Sequence, residues 1–311
     1  MVVSHQPVMV DEVIEHLITI KNGIYVDGTV GTGGHSLEIC KRIAPEGRLI
    51  CLDVDDSTLK IAGDRLSPFE KTVRLFKKSY ADLGSVLKDA GIGKVNGILL
   101  DLGMSSYQIW SSGRGFSFNK DEPLDMRMNR DLNITAADLV NDSSPQRLQQ
   151  ILWDYAQERW AKPISRAIVA ERQEKPITLS RQLAQLIQAT IPVKHQPKTI
   201  HPATKTFQAL RIAVNGELNN IKDFLEKAPF LIEKEGRLVV IAYHSLEDRL
   251  IKQAFHRWEK NDDYPRKLPI FPGNKPPLMK NITKKGLRPH QAEIYSNPRS
   301  RSAVIRVAEK V

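Results

Sequence analysis

An α/β fold, in which a parallel sheet is interrupted by an inserted α-helical segment, is predicted by three observations. Short β-rich runs alternate with amphipathic helical stretches from Ile24 to Leu102. The alternation then stops, and the chain reads as loop and helix as far as Leu186. It resumes near Phe207, so one sheet is built from two separated pieces of chain.

Ile24-Tyr25-Val26-Asp27 is a β-rich run ending in a glycine cluster, and the amphipathic stretch His35 to Ile43 follows directly. The same strand, loop and helix recur at Arg48 to Asp53 with Ser57 to Leu66, and at Thr72 to Lys77 with Tyr80 to Ala90. Gly97 to Leu102 supplies a fourth strand, and such alternation means parallel neighbours joined by right-handed crossovers. A loop (SSGRGFSFNKDEP) and a helix-rich stretch from Thr135 to Leu186 come next. A long helical pattern then spans Phe207 to Glu226, followed by a strand from Arg237 to Tyr243, a helix from Leu246 to Trp258 and a last strand from Ala303 to Ala308. Residues 260–300, rich in Pro, Lys and Gly, read as a long loop near the C-terminal edge of the sheet.

The 311 residues are 41% hydrophobic and 26% charged, the composition of a folded protein of one large or two smaller domains. The two cysteines, Cys40 and Cys51, lie inside apolar runs, which excludes a disulfide framework or a four-thiolate zinc site and points to a reducing cytosol. No basic segment followed by an apolar one opens the chain, and no stretch approaches the ~18 apolar residues of a membrane span, so a soluble, cytoplasmic protein is expected. Net charge is +10, unevenly placed: −2 over residues 1–105, +5 over 106–211 and +7 over 212–311. The asymmetry suggests a polyanion partner, although a generally basic surface accounts for it equally.

Asp27-Gly28-Thr29-Val30-Gly31-Thr32-Gly33-Gly34-His35 places glycines where backbone turns tightly and approaches a ligand at a strand end. A phosphate-binding P-loop requires Lys and Ser/Thr after its last glycine, and here His35-Ser36 follow. A dinucleotide fingerprint lacks its last glycine, because Ser36 stands there. The loop offers instead a carboxylate, Asp27, able to pair with a ligand ammonium such as that of S-adenosylmethionine. Asp53 ends the second strand at the spacing at which a carboxylate receives ribose hydroxyls, and Asp101 ends the fourth. Three carboxylates at adjacent strand ends point to one ligand-binding rim, while each alone has a plainer role as a turn residue or helix cap.

Gly28-Thr29-Val30-Gly31-Thr32-Gly33-Gly34-His35-Ser36, Gly97-Ile98-Leu99-Leu100-Asp101-Leu102-Gly103-Met104-Ser105-Ser106, Arg114-Gly115-Phe116-Ser117-Phe118 and Leu124-Asp125-Met126-Arg127-Met128 stand in order along the chain. Thr206-Phe207-Gln208-Ala209-Leu210-Arg211, His244-Ser245-Leu246-Glu247-Asp248-Arg249 and Asn297-Pro298-Arg299-Ser300-Arg301-Ser302 follow. Together, nearly end to end, they resemble the successive motifs of the bacterial small-subunit rRNA methyltransferase H family, RsmH or MraW. The resemblance implies methyl transfer from S-adenosylmethionine to N4 of a cytidine in the decoding region of 16S rRNA, with the assembled small subunit as partner. It implies a class I, Rossmann-like methyltransferase sheet (1–105 and 212–311) and an inserted helical substrate-recognition domain (106–211), and it is compatible with a homodimer. By motif, Gly33, Gly34 and His35 lie against the methionine part, Asp53 against the ribose and Tyr80 beside the adenine, with Asp101 and Gln108 completing the pocket. Two local departures, Tyr80 where Phe is usual and Met104-Ser105-Ser106-Tyr107 for a Val-Ser-Ser-Pro type of run, keep the ring and leave Gln108 in place.

An exocyclic cytosine amine is a poor nucleophile, so a catalyst must hold it with hydrogen-bond acceptors and align it with the methyl group. Methylation at C5 requires a cysteine on a mobile loop, and neither Cys40 in a helical stretch nor Cys51 in a strand suits. The Asp/Asn-Pro-Pro-aromatic signature of N-methylation is absent, and Asp101-Leu102-Gly103-Met104 occupies its place, so Asp101 or a nearby carbonyl is expected to accept an N4 proton. Arg114, Phe116 and Phe118 are candidates for holding the unstacked base, with Asp125, Arg127 and His244 positioning the substrate. Each of these has a structural alternative in packing or bracing. His195 and His201 lack carboxylate partners, and no metal is expected. Arg159, Lys162 and Arg166, and later Lys275, Lys280, Lys284, Lys285, Arg288, Arg299 and Arg301, are candidate phosphate contacts. On the residues alone, an inactive RNA-binding scaffold and a methyltransferase acting on DNA or a small amine stay open.

Overall fold

The computed structural model describes residues 7–260 and 276–311, so Lys275 lies outside the described residues. The chain divides into two compact units, Met1–Gly103 with Leu218–Val311, and Met104–Glu217. The second unit starts two residues before the expected boundary and ends six after it. Arg211 stays inside it through a two-pronged pairing with Glu217, Nε to Oε1 and Nη2 to Oε2, both 2.8 Å.

A helix α1 (Val10–Leu17), additional to the predicted alternation, buries Val13, Ile14 and Leu17 in the first unit. The predicted alternation follows as β1 (Ile24–Asp27), α2 (Gly34–Ile43), β2 (Arg48–Asp53), α3 (Asp56–Leu66), β3 (Val73–Lys77), α4 (Leu83–Asp89) and β4 (Val95–Asp101). The apolar run of β2 is continuous because both faces are covered. Leu49 and Cys51 meet residues of α1, α2 and α3, whereas Ile50 and Leu52 meet those of α4.

The inserted unit holds α5 (Ser106–Trp110), α6 (Ala136–Asp142), α7 (Pro145–Ala156), α8 (Ala161–Glu174), α9 (Ser180–Thr190) and α10 (Thr204–Asn215). Its core joins Leu148 and Ile151 of α7, Ile164 and Ile168 of α8, Leu183 and Ile187 of α9, and Leu210 of α10. The long helix expected over Phe207 to Glu226 is two helices. Gly216, at φ 62°, adopts the left-handed conformation that ends α10, and α11 (Glu217–Leu231) starts beside it.

Back in the first unit, β5 (Ile232–Ala242) begins earlier than Arg237, through an irregular start marked by Glu235 at φ 64°. Then come α12 (Ser245–Lys260), β6 (Met279–Asn281), α13 (Gln291–Ser296) and β7 (Val304–Lys310). The long loop expected over 260–300 therefore contains, in its described part, a strand and a helix too short to leave a periodic signal. The sheet order is β3-β2-β1-β4-β5-β7-β6, parallel from β3 to β5, with β7 antiparallel to both its neighbours. This is a seven-stranded α/β sheet with one reversed strand, and it agrees with the sheet that the resemblance implies.

Candidate active site

The glycine loop turns from β1 into α2 at the carboxyl end of the sheet, where open α/β folds bind ligands. Gly28 has no room for a side chain, since a Cβ there would lie 2.4 Å from Leu100 Cδ2 and 3.0 Å from Tyr80 Cβ. Gly33, at φ 81°, supplies the left-handed residue before α2, and no side chain caps that helix. Backbone N–H groups at an uncapped helix start favour an anionic group such as a carboxylate.

The three carboxylates are not level. Asp27 is in register with Cys51 of β2 and Leu99 of β4. Asp53 and Asp101 stand two residues beyond those partners, so Asp27 lies about 6–7 Å deeper along the strands. It is 1% exposed, and its carboxylate accepts Ser36 Oγ at 2.6 Å and the Thr29 N–H at 3.2 Å. Burial raises its pKa, opposed by the Ser36 hydrogen bond and the nearby His35. Placed so, Asp27 braces the loop from beneath.

Asp53 is half-buried at the rim, accepting the Gly31 N–H at 2.8 Å and the Asp55 N–H at 3.0 Å. Burial pushes its carboxyl up to about 6, although these hydrogen bonds favour the ionised form. Two loop amides leave further lone pairs for hydroxyl donors. Tyr80, in the turn after β3, is half-buried with its ring edge-on to Phe224 at 5.8 Å.

Asp101 ends β4 and is the hub of the rim. Its N–H donates to Thr29 Oγ1 at 2.6 Å, and its Oδ1 accepts the Tyr243 hydroxyl at 2.7 Å. Its Oδ2 stands 3.5 Å from Nδ1 of the buried His35. His35 Nε2 lies 2.8 Å from the Val8 carbonyl, so it carries the donated proton there, and a neutral ring presents bare Nδ1 to the carboxylate. Two acceptors facing each other suit a donor placed between them, as a ligand ammonium would be. Burial, and then the Asp101 charge, push Tyr243 well above the ordinary phenol range, so it remains a donor. Arg299 is also within electrostatic reach: burial lowers its pKa, and the Asp101 charge opposes that. Tyr243 is missing from the sequence-derived site. It follows β5, two residues past Ile241, the register partner of Asp101, and only the pairing register reveals this.

His244, expected to position substrate, folds back on the first turn of α12. Its Nε2 is 3.1 Å from Glu247 Oε1, its Nδ1 accepts the Glu247 N–H at 3.4 Å, and Glu247 Oε2 takes the Tyr243 and His244 N–H groups. Among the described residues, no group of three or more His, Cys, Asp or Glu comes together as a metal site would.

In the inserted unit, Gln108 is buried in the first turn of α5, its Oε1 accepting the Ser105 N–H at 3.0 Å in a capping box. Most expected substrate contacts there are internal braces. Arg114 is 3% exposed, and its Nη1 donates to the carbonyls of Arg127 and Met128 at 2.9 and 3.1 Å. Its guanidinium lies 5.3 Å over Phe116, which is itself in the core. Asp125 and Arg127 form a two-pronged pair at 2.7 and 2.9 Å, and Arg127 also donates to the Arg130 and Leu132 carbonyls. Burial pushes Asp125 up, but the Arg127 hydrogen bonds and charge outweigh it and hold the carboxyl below its ordinary value. Phe118 is half-buried, stacked on His201 at 4.4 Å. Residues with this many internal partners hold loop 111–135 in shape, the structural alternative weighed for them.

Against known proteins, the MraW methylase family model matches residues 2–311. The "Ribosomal RNA small subunit methyltransferase H" of Symbiobacterium thermophilum is 44% identical over 311 residues, covering 100% of this chain and 98% of that protein. The protein of that name from Geotalea uraniireducens is 45% identical over 307 residues, covering 99% and 98%. Among solved structures, an rRNA methylase from Streptococcus thermophilus aligns with a TM-score of 0.38 at 11% identity, covering 97% of this chain and 93% of that one.

Proposed function

This chain belongs to the MraW methylase family, and from that premise we propose that it methylates N4 of a cytidine in the decoding region of 16S rRNA, with the assembled small subunit as substrate. The observation that carries the reading is the end of β4, where Asp101 has one oxygen fixed by Tyr243 and the other facing His35 beside the glycine loop. S-adenosylmethionine, when bound, supplies an electrophilic sulfonium methyl group. Asp101 Oδ2 and His35 Nδ1 receive its ammonium, the N–H groups at the start of α2 its carboxylate, and Asp53 its ribose hydroxyls. Tyr80 lies beside the adenine.

As N4 forms its bond to carbon and the carbon–sulfur bond breaks, the amine must lose a proton, and Asp101 accepts it. Holding the amine by that hydrogen bond also favours the tetrahedral nitrogen over the planar one. The inserted unit recognises the substrate, with Phe118 and the exposed Arg159, Lys162 and Arg166 as its contacts. A substrate of this kind places the protein in the cytoplasm, and no helix among the described residues is long and apolar enough to cross a membrane.

The test is label transfer from S-adenosylmethionine to small subunits from a strain lacking the modification, beside naked 16S rRNA, with nucleosides identified by mass spectrometry. N4-methylcytidine on the subunit alone is the expected result. No methylated nucleoside from either substrate, despite tight cofactor binding, overturns the reading in favour of an inactive scaffold.

The raised pKa of Asp53 gives a second check. With its carboxyl at about 6, it is ionised at pH 7.5 and mostly protonated near pH 5. Ribose hydroxyls donate best to the ionised form, so affinity falls as pH drops through 6, by at most about tenfold per unit. Calorimetry with S-adenosylhomocysteine is expected to show this loss, and Asp53→Asn to flatten it. The comparison with the variant isolates the carboxylate from every other group that titrates in this range. An equal pH dependence in variant and wild type removes Asp53 from the ribose contact.

A further inference from the structure

The inserted unit contains a cleft that the reaction at β4 does not use. A cavity of about 250 Å³, lined by Arg159, Trp160, Ile191, His195, Ile200 and Lys205, opens between the start of α8 and the segment joining α9 to α10. The Trp160 and His195 rings are 5.5 Å apart and inclined at 42°, neither stacked parallel nor edge-on. The main chain that carries the two rings is fixed by side chains: the Trp160 backbone N–H donates to the buried Glu158 carboxylate at 2.9 Å, and Gln196, next to His195, donates from Nε2 to the carbonyls of Gln188 and Ile191, both at 2.9 Å. Ile200, at 38% exposure, adds apolar surface at the opening.

The surroundings are strongly cationic. From Glu158, which also lines the cavity, to Lys205 the chain carries nine Lys and Arg against three Glu. An aromatic wall, an apolar lining and cations at the mouth match the chemistry of a nucleotide, whose base face is apolar and whose phosphate is anionic. A peptide segment would call for main-chain hydrogen-bonding edges or alternating side-chain pockets instead.

We propose that this cleft binds one unstacked nucleotide of the RNA, its base against Trp160 and His195 and its phosphate on Arg159 and Lys205. The proposal rests on the reading of the protein as an RNA methyltransferase and adds a point of RNA contact within the inserted unit. The nucleotide is single-stranded, because a duplex hides the base face that the rings need. Stacking of this kind tolerates any base, so the cleft anchors the strand without reading its sequence.

The test is fluorescence anisotropy of a fluorescein-labelled single-stranded oligoribonucleotide titrated with the full chain, across a salt series. Trp160→Ala is expected to weaken binding about tenfold or more, with Trp160→Phe retaining most of the affinity. His195→Ala, on an exposed segment where misfolding is not a concern, gives a smaller loss of the same kind. Replacing both Arg159 and Lys205 by Ala is expected to lower the slope of log K against log salt by about 0.7 for each phosphate contact removed. Unchanged affinity and slope in all these variants overturn the proposal. So does weakened binding to whole small subunits with unchanged oligonucleotide affinity, which assigns the cleft to a protein. Failure of the methyltransferase reading is separately visible, as absence of N4-methylcytidine from the wild-type reaction.

Discussion

Asp101→Asn is expected to lower kcat at saturating S-adenosylmethionine by about 10²- to 10⁴-fold, the range typical of removing a positioned proton acceptor. The substitution keeps the size of the side chain and an oxygen for the Tyr243 hydroxyl, now at 2.7 Å from Oδ1. It takes away the negative charge on Oδ2 and can place an amide donor there, facing either a ligand ammonium or the N4 amine. Those two donors predict different losses. If Asp101 serves only the ammonium, the Kd for the cofactor rises while turnover at saturation survives. If it accepts the N4 proton, turnover falls at every cofactor concentration. Measuring cofactor Kd by calorimetry and kcat on small subunits separates them, and full turnover at saturation removes Asp101 from the chemistry.

The alternation of strands and helices is legible because a doubly covered strand such as Arg48–Asp53 must be apolar throughout. The glycine loop is legible because steric crowding at Gly28 and a left-handed turn at Gly33 leave little choice of residue. Register is not legible. Asp27, Asp53 and Asp101 look equivalent as strand-ending acids, yet pairing with Cys51 and Leu99 sinks Asp27 below the rim. The same blindness hides Tyr243, whose hydroxyl reaches Asp101 from a neighbouring strand 142 positions away. In the inserted unit the same limit holds. Arg114 and Arg127 suggest substrate contacts by residue type, whereas their main-chain carbonyl partners leave no trace in a sequence.

Tyr243→Phe is expected to lower kcat by about 10- to 100-fold while changing cofactor affinity far less. Its hydroxyl makes a hydrogen bond to a charged group, a kind worth about 1.5–3 kcal/mol. The bond fixes Oδ1 and so aims Oδ2, which makes Tyr243 a positioning residue for the Asp101 carboxylate. Phenylalanine retains the ring that packs beside Gly103, so the end of β5 keeps its shape. The distinguishing readout is the split between kcat and binding. A hydroxyl that aims Oδ2 at the reacting amine lowers kcat on small subunits and leaves the calorimetric Kd for S-adenosylhomocysteine close to wild type. A merely structural tyrosine would weaken binding and turnover together. Equal losses in both, or none in kcat, therefore reject the positioning role and leave Asp101 to be aimed by Thr29 and the backbone of β4 alone.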